Sequence, residues 1–279
     1  MLSILAVFKN EAHILADWID SHAAEGVDHF YLVNNNSTDD YRAAIAQSHH
    51  ADRVSILQDE RPYAQASIYN TAYSEVIAAT GTEWLLVCDL DEFIYARGDH
   101  RTIPSFLATL PEDVAAVSIP WKMFGSSSHD RHPQGPVYAN FLHRDDYNPS
   151  QAIGPGMPTS GQICSKCIVR TSALFTVGVH YHFLINGRTV DPCGQEMPAD
   201  TPFKPINEDL LARHQLHLNH YVVQSREYFE RVKMARGDAA NAARDSVRNW
   251  DYFTRFDVNH ILDRELAMKR AGQSIPAEN

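Results

Sequence analysis

Basic residues are scarce in this chain: 24 Lys and Arg stand against 35 Asp and Glu, a net charge of -11 over 279 residues. Non-specific nucleic-acid binding needs a basic face, so the balance argues against that function. Long apolar runs are missing too. No window approaches the roughly 20 apolar residues that span a bilayer. The first residues have neither the charged start nor the small-residue cleavage site of a signal peptide, so Leu2 to Phe8 is expected to be a core strand. Cysteine is limited to Cys88, Cys164, Cys167 and Cys193. Cys164-x-x-Cys167 offers half of a zinc site, but no second pair stands at a zinc spacing and the pair lies in a strand-like stretch. Reduced thiols are the expectation. No internal repeat is visible, and 279 residues suffice to bury a sizeable core.

What is present begins with Trp84-Leu85-Leu86-Val87-Cys88, an apolar run delivered into Asp89-Leu90-Asp91-Glu92-Phe93. The run reads as a buried strand. Asp-x-Asp at its end places two carboxylates where open α/β sheets keep their ligands. Two hard oxygen ligands one residue apart suit a divalent cation with positions left for phosphate oxygens. A solvated turn is the competing reading.

Upstream, Leu2 to Phe8 ends in Lys9-Asn10-Glu11, and a helix follows with Ile14, Leu15, Trp18, Ile19 and His22 on one face and Gly26 to stop it. A strand over Phe30 to Val33 runs into Asn34-Asn35-Asn36-Ser37-Thr38-Asp39-Asp40, a composition of turns and caps with polar groups suited to a base and a ribose. Val54 to Leu57 is a third strand, Ala64 to Thr80 a helix, and the Asp89 strand comes next. This alternation predicts a parallel sheet with right-handed crossovers.

The second half is less periodic. Strands are expected over Ala115 to Pro120, Ile163 to Arg170, Phe175 to His182 and Leu216 to Val222, and a helix capped by Ser225 over Glu227 to Arg236. Irregular stretches from Ser126 to Gly161 and Asn186 to Asn207 read as functional loops. The division expected is one domain over 1–272, its nucleotide half about 1–120 and acceptor half about 121–250, with a polar tail at 273–279.

Taken in order, Lys9-Asn10-Glu11-Ala12, Gly26-Val27-Asp28-His29-Phe30, Asn35 to Asp40, Asp89 to Phe93, Phe124 to His129, Lys166 to Arg170, His180-Tyr181-His182 and Asn219-His220-Tyr221 resemble a glycosyltransferase of the GT-A fold, in the family 2-like group that includes family 92. The segments cover most of Leu2 to Gly237. The resemblance implies a mixed α/β sheet flanked by helices, with long acceptor-side loops. It also implies an inverting transfer from a nucleoside diphosphate sugar, UDP-galactose by family analogy, to a glycan or lipid-linked hydroxyl. Members from eukaryotes usually carry a membrane anchor, so a bacterial cytoplasmic enzyme with at most peripheral contact at the inner membrane is expected.

The resemblance also nominates residues. Phe8, Asn10, Glu11, Asn36, Asp39 and Asp89 would meet the nucleotide, with Lys233 and Arg236, three apart on one helix face, clamping the diphosphate. Asp91 would hold Mn²⁺ or Mg²⁺, Asp89 would touch the ribose or a metal-bound water, and a histidine would complete the site, His220 before His182. Each has a plainer reading: Glu11 facing a helix dipole, Asp39 as a helix cap, the histidines as core residues, Lys233 and Arg236 as a solvated face. An inverting enzyme needs a general base. Asp130 and His129 lead, with Asp209, Glu208 and Glu92 behind. A metal-dependent nucleotidyltransferase and a non-catalytic nucleotide- or glycan-binding module are the other classes open. Nucleotidyltransferases of this fold usually begin with a Gly-rich basic motif, and Leu2 to Asn10 has no glycine.

Overall fold

The computed structural model describes residues 1–147, 161–237 and 247–273. The alternating strands and helices of the first third form as expected. Strands β1 (Leu2–Phe8), β2 (His29–Asn34), β3 (Val54–Gln58) and β4 (Trp84–Val87) are parallel and lie side by side in the order β4-β1-β2-β3. Between them run α1 (Ala12–Ala24), α2 (Tyr41–Ala46) and α3 (Gln65–Glu75). The last is shorter than expected because its final turn tightens into a 3₁₀ segment, Ile77–Ala79.

Helices cover both faces, which is why the strands are apolar on both sides. Ile4, Ala6, Phe8, Leu32 and Leu86 pack with Ile14, Leu15, Trp18 and Ile19 of α1. Leu5, Tyr31, Val33, Leu85 and Val87 point the other way and pack with Ile68, Tyr69 and Ala72 of α3. The period-two alternation of a strand produces this division. His22 of α1 is wholly buried: its Nδ1 lies 2.9 Å from the Trp18 carbonyl and Nε2 accepts from Ile94 N at 3.2 Å. Burial pushes its pKa down to about 3, so it is a neutral core residue.

Beyond β4 the sheet turns mixed. After β5 (Glu92–Ala96), helix α4 (Ile103–Leu107) leads to β6, ten residues from Val114 to Met123, which pairs antiparallel with β7 (Gln162–Arg170). β7 in turn lies antiparallel to β4. Three short strands follow, β8 (Arg188–Val190), β9 (Glu196–Met197) and β10 (Phe203–Pro205). The stretch from Asn186 to Asn207, read as irregular, therefore contributes to the sheet, in strands too short to show periodicity. The single strand expected over Phe175 to His182 is instead a small hairpin of Leu174–Thr176 and Phe183–Leu184. Helix α5 (Glu208–Arg213) precedes β11 (Leu216–His220), which pairs with both β5 and β6 and completes an 11-stranded sheet.

The expected helix after Ser225 exists, with Ser225 Oγ accepting from Tyr228 N at 3.1 Å. This helix, α6, begins as Arg226–Tyr228, widens into a π-helical stretch at Phe229–Lys233 and ends as Met234–Arg236. π-Bulges are rare and occur often at functional sites. α7 (Trp250–Phe256) and α8 (Glu265–Arg270) close the described chain. Among the described residues no helix is long and apolar enough to cross a membrane. Residues 148–160 of the expected acceptor loop and 274–279 of the expected tail lie outside the described residues.

One close approach fixes the start of the acceptor-side segment. A Cβ on Gly125 would sit 2.3 Å from the Val258 carbonyl oxygen and 2.6 Å from Asn259 Oδ1. Gly125→Ala should therefore lower stability by about 1–3 kcal/mol, as overpacking does, in a urea titration of the purified chain.

Candidate active site

The apolar strand β4 ends at Val87, and Asp89 to Asp91 form the turn into β5. Trp18 holds this turn from below: its indole N–H donates to the Glu92 carbonyl at 2.8 Å and faces the Asp89 carbonyl at 3.2 Å. Glu92 Oε2 accepts from Asp89 N at 2.8 Å. The turn is thus pinned by side chains before any ligand arrives.

Residues far along the chain converge on it. The antiparallel register of β11 on β5 sets His220 opposite Glu92, and Tyr221 N donates to the Asp91 carbonyl at 2.8 Å. His220 Nε2 then faces Asp91 Oδ1 at 3.6 Å. From α6, the Lys233 ammonium donates to Asp91 Oδ2. From β7, Lys166 Nζ, fully buried, reaches Asp89 Oδ2 at 2.8 Å and Glu92 Oε2 at 3.6 Å.

The turn's electrostatics follow from these partners. Burial by itself would raise the Asp91 pKa, but Lys233 and His220 hold the carboxyl well below the usual range. At Asp89 burial is likewise overcome, chiefly by Lys166. Glu92 goes the other way: burial, with Asp89 and Asp91 nearby, outweighs the pull of Lys166 and pushes it up to about 8. At neutral pH Asp89 and Asp91 are therefore carboxylates, met by the side chains of Lys166 and Lys233.

Asp91 and His220 suit a divalent cation. Their facing atoms are too far apart for a hydrogen bond, yet both are buried, and His220 Nδ1 has no partner among the described residues. The carboxylate oxygen suits Mn²⁺ or Mg²⁺, and the imidazole nitrogen adds a donor that first-row transition metals take more readily than Mg²⁺ does. Asp89, engaged with Lys166, is not turned to the same point. His182 is not part of the set either. Its Nε2 lies 3.2 Å from the Cys167 carbonyl and its Nδ1 accepts from Gly178 N at 3.2 Å, so both ring nitrogens are committed.

The residues nominated for the nucleotide divide. Phe8 is a core residue, only 2% exposed and edge-on to Tyr41 at 5.2 Å, so its side chain offers no face to a base. Asn10 and Asn36 both have positive φ, 56° and 58°, and they shape the loops. Asn10 Oδ1 accepts from Thr38 N at 2.7 Å, and Asn36 Nδ2 donates to the Glu60 carbonyl at 3.1 Å. Glu11 is buried and spoken for, accepting from the Tyr228 hydroxyl at 2.8 Å and from Arg236. Asp39 caps α1 through Ala12 N at 2.8 Å, while its Oδ1 is buried and unpartnered among the described residues. Lys233 and Arg236 are not a solvated face: α6 lays them against Asp91 and Glu11.

Of the base candidates, His129 turns its Nε2 to the Asn140 carbonyl at 3.2 Å, and Asp130 is exposed. Their carbonyls accept from Arg226 N and Glu227 N at 3.0 and 2.9 Å, so this segment seats the start of α6. Glu208 is tied up with Arg144, two bonds of 2.8 Å.

Sequence reasoning missed Lys166, His13, Gln224 and Tyr228. Lys166 stood in the Lys166 to Arg170 segment that carried part of the resemblance, without a role. His13 packs on Tyr228 at 4.4 Å and reaches Gln224 Oε1 at 3.2 Å. His13 is exposed, on the rim of the site beside the Asp91–Lys233 pair.

A family profile described as Glycosyltransferase family 92 matches residues 3–263. A family 92 protein of Oryza sativa subsp. japonica is 22% identical over 145 residues, 51% of this chain and 24% of its own length. One from Ricinus communis is 26% identical over 181 residues, 62% of this chain and 29% of its own. The chain thus spans less than a third of either relative. Among solved structures, residues 1–349 of S. aureus TarS align with a TM-score of 0.41 at 14% identity, over 72% of this chain and 59% of that one. Glucosyl-3-phosphoglycerate synthase of Mycobacterium tuberculosis, solved with Mn²⁺ and UDP, gives 0.35 at 15%, over 72% and 73%.

Proposed function

The chain belongs to glycosyltransferase family 92, and from that premise we propose that it moves a sugar from a nucleoside diphosphate donor to a hydroxyl of a glycan or lipid-linked glycan. The carrying observation is Asp91, buried in the turn after β4 and met by His220 and Lys233 from distant parts of the chain. Such convergence of charge on one strand end suits a diphosphate, whose recognition needs both a cation and ammonium donors. By family resemblance the donor is a UDP-sugar, UDP-galactose in the first instance, and the transfer inverts configuration.

Asp91 and His220 would hold Mn²⁺ or Mg²⁺, which when bound supplies positive charge to the departing diphosphate. Lys233 donates to the same phosphate region, and Arg236, held in place by Glu11, extends that donor row by one turn. The unpartnered Asp39 Oδ1 accepts from the nucleoside. Lys166 keeps Asp89 ionised and fixed beside the ribose.

Asp130 is the proposed general base for the acceptor hydroxyl. Its carbonyl meets Glu227 N, at the start of the helix that carries Lys233. Asp130→Asn should lower kcat by about 10²–10⁴ with little change in donor KM, measured by release of nucleoside diphosphate.

The test of the whole reading is thermal stabilisation of the chain by UDP, GDP and CMP, each with and without Mn²⁺. A ligand at a hundred times its Kd adds about 2.7 kcal/mol. The expected outcome is a shift with UDP that grows with Mn²⁺ and shrinks in Asp39→Asn. No shift with any nucleotide removes the transferase reading. In a further arm with UTP, GTP and CTP, a shift with a triphosphate and none with UDP favours a nucleotidyltransferase.

A further inference from the structure

Far from the Asp89–Asp91 turn, three donor side chains meet at the opposite end of β11. Asp191 follows β8 directly, Cys193 lies two residues on, and His214 caps the C-terminal end of α5 just before β11 begins. One ligand atom from each of the three lies within 4.8 Å of the others.

The pairing pattern around them is incomplete. Asp191 spends Oδ1 on the backbone of its own turn, accepting from Cys193 N at 2.8 Å and Gln195 N at 2.9 Å. Its Oδ2 is buried without a hydrogen-bond partner among the described residues. His214 is 1% exposed, and neither of its ring nitrogens has a partner there either. Buried polar atoms are seldom left this way. The His214 Nε2 to Asp191 Oδ2 separation is 3.8 Å. That is long for a hydrogen bond, but near the ~3.4 Å edge of a tetrahedron built on ~2.1 Å metal–ligand bonds. Cys193 reaches the surface, which gives an ion a way in.

We propose that Asp191, Cys193 and His214 form a zinc site, separate from the sugar-transfer centre, with a water in the fourth position. A thiolate, an imidazole and a carboxylate in tetrahedral array are the donors zinc selects. Binding releases the Cys193 proton, because the thiolate is the ligand. The ion joins the turn after β8 to the root of β11, a link now made by Gln215 N donating to the Pro192 carbonyl at 3.1 Å. Since β11 carries His220 six residues further on, about 20 Å along an extended strand, the site is an anchor for that strand and takes no part in the chemistry. The Cys-x-x-Cys pair is not involved: Cys164 and Cys167 stand three apart on β7, so their side chains leave opposite faces.

Cobalt titration of the chelator-treated full chain tests this. The thiolate-to-cobalt charge-transfer band should saturate at one Co²⁺ per chain, whatever further cobalt binds at Asp91 and His220, and zinc should abolish it. Cys193→Ser should abolish the band, His214→Gln should weaken binding about tenfold or more, and Asp91→Asn should leave the band intact. Circular dichroism of each variant checks that it folds. Absence of a charge-transfer band at stoichiometric cobalt overturns the site. So does a band that survives Cys193→Ser, since the thiolate would then come from another cysteine.

Discussion

Lys166→Met should lower the free energy of unfolding by about 1–3 kcal/mol, less than the usual cost of breaking a fully buried ion pair, because the Asp89 side chain is 30% exposed and its charge is partly screened. Lys166 Nζ is wholly buried between Asp89 and Glu92, and it also donates to the Val179 carbonyl at 3.2 Å. Without it, Asp89 loses the charge that keeps its carboxyl ionised against the burial penalty. Glu92, already pushed up to about 8 by burial, loses the Lys166 charge that opposes that rise. Urea unfolding of the single variant measures the effect. Lys166→Met with Asp89→Asn should recover much of the stability, because the second change removes the stranded charge. A single-variant loss below about 0.5 kcal/mol would mean that the pair is screened as fully as one on an open surface, at odds with the complete burial of Lys166.

Asp91→Asn is expected to reduce sugar transfer by about 10³-fold or more. Charge stabilisation at a departing diphosphate is worth several kcal/mol, and each 1.36 kcal/mol is tenfold in rate. The amide keeps the shape of Asp91 but no longer attracts Lys233 or a cation shared with His220. The Mn²⁺-dependent part of nucleotide stabilisation should vanish with it, while the fold measured by circular dichroism stays. Turnover within tenfold of wild type would place the diphosphate elsewhere.

The first 96 residues were largely legible because their order is local. Apolar runs alternate with amphipathic helices, and the motif sits where one run stops. The carboxylates were legible for the same reason, and Lys233 and Arg236 were named for the diphosphate, but their pairing with Asp91 and Glu11, and the part of Lys166, were not. Lys233 meets Asp91 across 142 positions and Arg236 meets Glu11 across 225, separations at which periodicity carries no information. Phe8 misled because the end of a strand can face core or crevice, and only the packing of Tyr41 decides. His182 misled because it lies in one of the segments that carry the resemblance, yet a hairpin commits both its ring nitrogens. The π-helical stretch that turns Lys233 inward has no signature in composition.

The reach of α6 back to Glu11 and Asp91 also bears on how the protein is made. A ribosome delivers the acidic turn and Glu11 long before residues 226–236, so during synthesis the first half holds buried carboxylates without their later partners. Lys166 arrives midway and settles Asp89; Lys233 and Arg236 come last. The cleft is therefore complete only once residue 236 has emerged, and a fragment stopping before Arg226 carries Asp91 and Glu11 without Lys233 and Arg236, with Lys166 alone to balance Asp89.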